Sequence, residues 1–127
     1  MSAKTLYHTQ EERTAARQKA RRKWEESHPE QWELQKQNQR LTRRYGIKVN
    51  DYNLLFEKQK GACAICLRPP EGLHGSGKPH TLHVDHNHTT NQVRGLLCTR
   101  CNQGIGMFLE RLDYLDKAKE YLIAYTR

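Results

Sequence analysis

A chain of 127 residues has room for one domain, or for a small domain with an appendage. With 35% apolar and 28% charged residues and a mean hydropathy of -1.00, its core alone cannot hold it, so a metal, disulfides or a partner must help. A formal net charge of +8 draws it toward polyanions, nucleic acid ahead of acidic membrane surfaces, and no apolar run approaches the roughly 18–20 residues of a membrane span.

Met1 to Gln10 lacks the apolar stretch of a secretory signal, which points to a reducing cytoplasm. Glu11 to Glu26, rich in Ala, Arg, Lys and Glu, predicts a helix with Arg13, Arg17 and Arg21 on one face. A second helix restarts at Ser27-His28-Pro29-Glu30, with Ser27 as N-cap, and runs to Tyr45 before Gly46 stops it. Its apolar stripe, Leu34, Leu41 and Tyr45, is thin. Residues 1–45 hold eleven Lys/Arg against six Asp/Glu, a net of +5, and read as a basic helical arm that grips DNA. A solvated charged helix and a protein-docking arm are the alternatives.

Asn50 caps a short helix in which Tyr52, Leu55 and Phe56 share a face, and Gly61 ends it. Residues 67–80 carry three prolines and three glycines and read as a surface loop. Thr81 to Asp85 and Val93 to Leu97 read as short strands joined by a turn around Thr89-Thr90-Asn91. Helix resumes after Cys98 and extends to about Leu112. Asp113 caps a last helix, whose Tyr114, Leu115, Ala118, Tyr121, Leu122 and Tyr125 form a stripe read as core, or as a homodimer contact.

Cys63/Cys66 and Cys98/Cys101 are two CxxC pairs. Two intervening residues let both thiolates of a pair turn toward one ion, and two such knuckles complete a tetrahedral Zn2+ site. The 31 residues between the pairs exceed the usual zinc-ribbon spacing, so something folded fills the gap. Four thiolates leave no open coordination position, which makes the site structural. Two disulfides or buried free thiols are the competing readings.

Inside the gap, His83-Val84-Asp85-His86-Asn87-His88 packs three histidines and an aspartate into six residues, and Asn102 follows the last cysteine. Asp and Asn oxygens are hard ligands suited to Mg2+ or Mn2+, and a histidine beside such an ion can act as general base on water. These are the parts for phosphodiester hydrolysis. The three histidines form an alternative second zinc site. Strict alternation throws Asp85 and His86 to opposite faces, so a shared site requires the strand to end or bend there. His8 and His28 read as surface residues, and His74 and His80 as members of the loop.

At these residues the chain resembles the recombination endonuclease VII family of the His-Me finger (HNH-type) nucleases. The likeness runs from about Tyr45 to Met107 and includes Arg44-Tyr45-Gly46-Ile47, Gly61-Ala-Cys63-Ala-Ile-Cys66, the Leu82–His88 cluster and Val93-Arg94-Gly95-Leu96-Leu97-Cys98-Thr-Arg-Cys101-Asn102. The resemblance implies an α+β fold, a ββα-metal core with a four-cysteine zinc staple over residues 46–127, flanked by helices and the arm. It implies that Asp85 and Asn102 hold a divalent ion, that His86 activates water, and that His83 and His88 serve the scissile phosphate, leaving 5′-phosphate and 3′-hydroxyl ends. Arg94 and Arg100, beside the motif, are expected phosphate contacts. The best-known phage member has an acid three positions after the motif asparagine; here Ile105 stands there. That member also has a long C-terminal dimerisation region, so junction resolution is not carried over. The expectation is a phage-encoded DNA endonuclease or nickase, against a zinc-stabilised DNA-binding module without cleavage and, third, an interaction subunit.

Overall fold

In the computed structural model, which describes residues 9–126, a capping box starts the first helix. Thr9 Oγ1 accepts the Glu12 N–H at 3.2 Å while the Glu12 carboxylate accepts the Thr9 N–H at 3.0 Å, and α1 runs Gln10–Ser27. His8 lies outside the described residues. Ser27 does not cap the next helix. It is the last residue of α1, and its hydroxyl donates to the Lys23 and Trp24 carbonyls of the helix's last turn. His28, pushed out of the α region by the proline after it, breaks the chain, and α2 spans Pro29–Tyr45 with proline in its first turn.

The two helices close on Trp32. The Arg21 guanidinium lies 5.0 Å and the Lys36 ammonium 5.7 Å from its ring centre, while Trp24 stacks on His28 at 4.9 Å. Neither helix has a fully buried residue. The far end of α2 is different: Leu41 and Tyr45 pack on the core, and Gly46 ends the helix at φ 70°, a conformation glycine adopts without cost. Asn38 Oδ1 then accepts the Val49 N–H at 2.9 Å, tying α2 to the next helix.

Helix α3, Val49–Lys58, starts one residue before the expected cap. The Asp51 carboxylate reaches back to the Lys48 N–H at 2.8 Å, so Lys48 is the N-cap and Asn50 already belongs to the first turn. Beyond the loop come β1 (His83–His86) and β2 (Val93–Leu97), an antiparallel pair with His83 opposite Leu97 and Asp85 opposite Gly95. Asn87 holds the turn, its Oδ1 accepting the N–H groups of Thr89 at 2.8 Å and Thr90 at 3.1 Å.

A lone two-stranded ribbon is marginal in water, so its cover matters. Helix α3 packs on β2, and helix α4 (Thr99–Met107) on β1. Cys63, Leu82, Val84, Leu96 and Leu97 are buried between them, rimmed by Tyr52, Leu55 and Ile105 among others. The Gln59 amide stitches α3's exit to this core. Its Nε2 donates to the Ala62 carbonyl at 2.8 Å and the Leu96 carbonyl at 2.9 Å, and its Oε1 accepts the Leu96 N–H at 2.8 Å. Gly95 makes room for it, since a Cβ there would sit 3.1 Å from Gln59 Oε1.

Helix α4 stops at Met107, five residues short of the expected end. Gly104 and Gly106 weaken it, and Leu109 and Glu110 turn to positive φ, 56° and 55°, so that the Glu110 N–H bonds the Ile105 carbonyl at 2.9 Å. Helix α5 covers Leu112–Tyr125 with Arg111, not Asp113, as N-cap; Asp113 instead pairs with Arg111 at 2.8 Å. The reading of its stripe as core is overturned. No α5 residue is buried, Leu115 and Ala118 are half-buried, and Tyr121 and Tyr125 are 66% and 77% exposed. The fold is α+β, five helices and one two-stranded sheet among the described residues, and no described helix is long and apolar enough to cross a membrane.

Candidate metal and histidine sites

The four cysteine sulfurs converge, all lying within 4.8 Å of one another. Cys63 and Cys66 come from the knuckle after α3, Cys98 from the end of β2, and Cys101 from the first turn of α4. Cys66 Sγ and Cys98 Sγ are 3.9 Å apart, too far for a disulfide and close to the ~3.8 Å edge of a tetrahedron with ~2.3 Å zinc–sulfur bonds. The Ile65 N–H points at Cys63 Sγ at 3.5 Å and the Cys101 N–H at Cys98 Sγ at 3.4 Å, donors that favour thiolate. Burial opposes ionisation of Cys63, but backbone N–H donors from Cys66, Cys98 and Ile65 outweigh it and bring the thiol down to about 6. Cys101 is pushed up to about 12, first by burial and then by hydrogen bonds within the cluster. Neighbouring thiolates repel, and a divalent cation removes that repulsion. The donor set fits structural Zn2+.

The second set lies at the turn end of the hairpin. His86 pairs with Val93 and Asp85 with Gly95, so Arg94 is an extra, bulged residue in β2. The pairing register therefore shifts between Asp85 and His86. Arg94 grips the buried Asp85, 8% exposed, with Nε to Oδ2 at 2.7 Å and a terminal nitrogen to Oδ1 at 2.9 Å. Such a fork is what a buried carboxylate needs in place of water. The other edge of the guanidinium holds Glu110, at 3.0 and 3.3 Å. Hydrogen bonds to Asp85, then Glu110, drive the Arg94 pKa upward. Glu110 Oε1 is also 3.4 Å from His88 Nε2, and the His88 ring centre is 4.6 Å from that of His86, which meets the Tyr45 ring edge-on at 5.4 Å. Asp85, Arg94, Glu110, His88 and His86 thus form one continuous cluster.

His83 stands outside that chain of contacts, its Nε2 2.9 Å from Thr99 Oγ1 at the start of α4. Asn102, half-buried, is one turn on from Thr99 and shares its face of α4, while His83 and Asp85 share a face of β1. Asn102 makes no side-chain hydrogen bond among the described residues. The oxygens of Asp85 and Asn102 are donors of the right hardness for Mg2+ or Mn2+, although both oxygens of Asp85 engage Arg94. Among the described residues, the cysteines form the one group of three or more His, Cys or acidic ligand atoms drawn together closely enough to hold an ion; His86 and His88 are neighbours, and His83 stands apart at Thr99.

The remaining arginines are dispersed. Arg100 is exposed and lines a 590 Å³ groove with Arg68, His80 and Thr81; Arg13 and Arg17 lie exposed on α1, and Arg21 pairs with Glu25 at 2.6 Å. His74 and His80 touch ring to ring at 3.9 Å within the loop. A 710 Å³ hollow along α2, lined by Gln31, Leu34, Asn38 and Arg43, contains no histidine or carboxylate. Tyr45, Thr99 and Glu110 join the site without having been candidates. Tyr45 stood in the family-like stretch, but nothing local to Glu110 marks it.

The family model for recombination endonuclease VII matches residues 38–124. The chain is 40% identical over 85 residues to the Gene 59 protein of Mycobacterium phage L5, covering 66% of this chain and 48% of that protein. It is 42% identical over 84 residues to the Gene 59 protein of Mycobacterium phage D29, covering 65% and 47%. The chain therefore spans about half the length of these relatives. No solved structure matches it.

Proposed function

The chain belongs to the recombination endonuclease VII family, and on that premise we propose that it is a divalent-metal-dependent DNA endonuclease or nickase of the His-Me finger type. The observation that carries the reading is the cluster at the bulged end of the hairpin, where a buried aspartate, two histidines, an arginine and a glutamate meet.

In this reading Asp85 and Asn102 hold Mg2+ or Mn2+. Such an ion would supply Lewis-acid stabilisation of the negative charge that develops during phosphodiester hydrolysis. His86, braced by Tyr45 and His88, takes the proton of the attacking water. His88 and His83 serve the scissile phosphate, His83 with its ring anchored by Thr99. The products carry 5′-phosphate and 3′-hydroxyl ends. Arg100, Arg94 and the α1 arginines Arg13, Arg17 and Arg21 contact the DNA backbone, with residues 1–45 as arm and 46–127 as nuclease domain. The exposed Tyr/Leu stripe of α5 is the surface for a homodimer, and the free thiols suit a reducing, cytoplasmic setting in a phage-infected cell.

A second reading, a zinc-stapled DNA-binding module without cleavage, draws on Arg94 holding both Asp85 oxygens. Plasmid nicking by zinc-loaded protein separates the two. Cleavage that appears only with added Mg2+ or Mn2+ is expected; DNA binding without cleavage in either metal leaves the second reading standing.

A further inference from the structure

Glu110 lies outside every motif, yet it reaches the site by an unusual path. Leu109 and Glu110 both take left-handed backbone conformations, which cost non-glycine residues on the order of 1 kcal/mol or more each. The turn is locked by the Glu110 N–H to the Ile105 carbonyl at 2.9 Å and the Leu109 N–H to the Gly106 carbonyl at 2.9 Å. Its result is a carboxylate delivered to Arg94 and His88 from the far end of α4. The position three residues after Asn102 is filled by Ile105, which packs on the core and brings no charge.

Arg94 divides its donors between two carboxylates. Nε and one terminal nitrogen face Asp85, while both terminal nitrogens face Glu110. An ion binding at Asp85 must take oxygens that Arg94 now holds. A guanidinium with no other partner would then be left unpaired beside a dication, a repulsion felt strongly in a partly buried site. Glu110 removes that penalty, because its two oxygens already match the two terminal nitrogens as a fork.

We propose that Glu110 is a positioning residue for the ion site: it retains Arg94 when Asp85 turns to a divalent ion, keeping the guanidinium beside the site and neutralised. The proposal rests on the assignment of Asp85 as an ion ligand made above. Glu110 acts through Arg94 and does not itself bind the ion.

The test is Mn2+ affinity of the zinc-loaded full chain without DNA, read by electron paramagnetic resonance, for wild type, Glu110→Gln, Arg94→Gln and the double variant. Residues that orient a metal ligand typically change affinity by about 10–100-fold. Glu110→Gln should weaken Mn2+ binding by about tenfold with zinc content unchanged, and adding Arg94→Gln should restore it, because the unpaired guanidinium is gone. Equal affinity in wild type and Glu110→Gln overturns the proposal and leaves the nuclease reading intact. A loss that Arg94→Gln does not restore makes Glu110 a ligand and also overturns it. A wild type that binds no Mn2+ defeats both the proposal and the ion-ligand assignment of Asp85.

Discussion

The four cysteines and the Asp85–His88 cluster both depend on one two-stranded ribbon, yet they are assembled in opposite ways. Each cysteine knuckle is local: two residues of spacing set the pair, a backbone N–H reaches the first sulfur of each, and the Ala64 N–H to the Leu96 carbonyl ties the first knuckle to β2. The cluster is gathered from five segments by side-chain contacts: Tyr45 from α2, Asp85 and His86 from β1, His88 from the hairpin turn, Arg94 from a bulge in β2, and Glu110 from the turn between α4 and α5. Cys63 belongs to a core of very few residues, with Cys98 and Cys101 packed against it and Cys66 exposed, whereas the cluster lies at the turn end of the ribbon. A site that is part of the core fails together with the fold. One held by side chains on a finished core can fail alone.

Cys98→Ser gives that contrast its harshest trial. Structural zinc contributes on the order of 10–16 kcal/mol in small zinc domains, comparable with the whole of a domain's stability, about 5–15 kcal/mol. The variant should lose bound zinc and its cooperative thermal transition together; a folded, zinc-free protein by circular dichroism would break the comparison from the cysteine side. His86→Ala should fall on the other side. Zinc content, melting and DNA affinity stay at wild-type values while nicking drops by about 10²–10⁴-fold, the range for loss of a general base. Undiminished cutting in a nicking assay would strip His86 of the role proposed for it.

The smallest effect sharpens the boundary between the two regions. Gln59 bonds both the N–H and the carbonyl of Leu96 but touches neither ligand set. Gln59→Ala leaves a buried N–H unpaired, at about 1–3 kcal/mol, and should lower the melting midpoint by several degrees with nicking per folded molecule unchanged. A specific loss of nicking would mean that the core and cluster are coupled more tightly than their contacts indicate.

The residues whose spacing carries their meaning were legible without a structure. CxxC pairs, the histidine run, Gly46 as a helix stop and Pro29 in a first turn are short-range patterns, and the helices and strands fell within a few residues of expectation. The caps at Ser27, Asn50 and Asp113 were misplaced because capping is a competition. Ser27 was taken by α1's carbonyls, Asp51 reached back to Lys48, and Asp113 paired with Arg111. The α5 stripe has helical periodicity, but periodicity says only which residues share a face. Whether that face meets a partner depends on what packs there, and among the described residues little does.

By itself the sequence determined that the chain needs a staple, that four cysteines in two CxxC pairs are candidates to supply it, and that the histidine run with Asp85 falls between the pairs and Asn102 just after the last. Only the tertiary structure made Arg94 the extra residue of β2 and closed its guanidinium on Asp85, which no alternation pattern announces. Only it brought Glu110 to that arginine, through two left-handed residues without a glycine to mark them. The reason is physical. Ligand spacing is written in neighbouring residues, whereas a bulge register and a turn's conformation are fixed by the packing and pairing they permit across the chain.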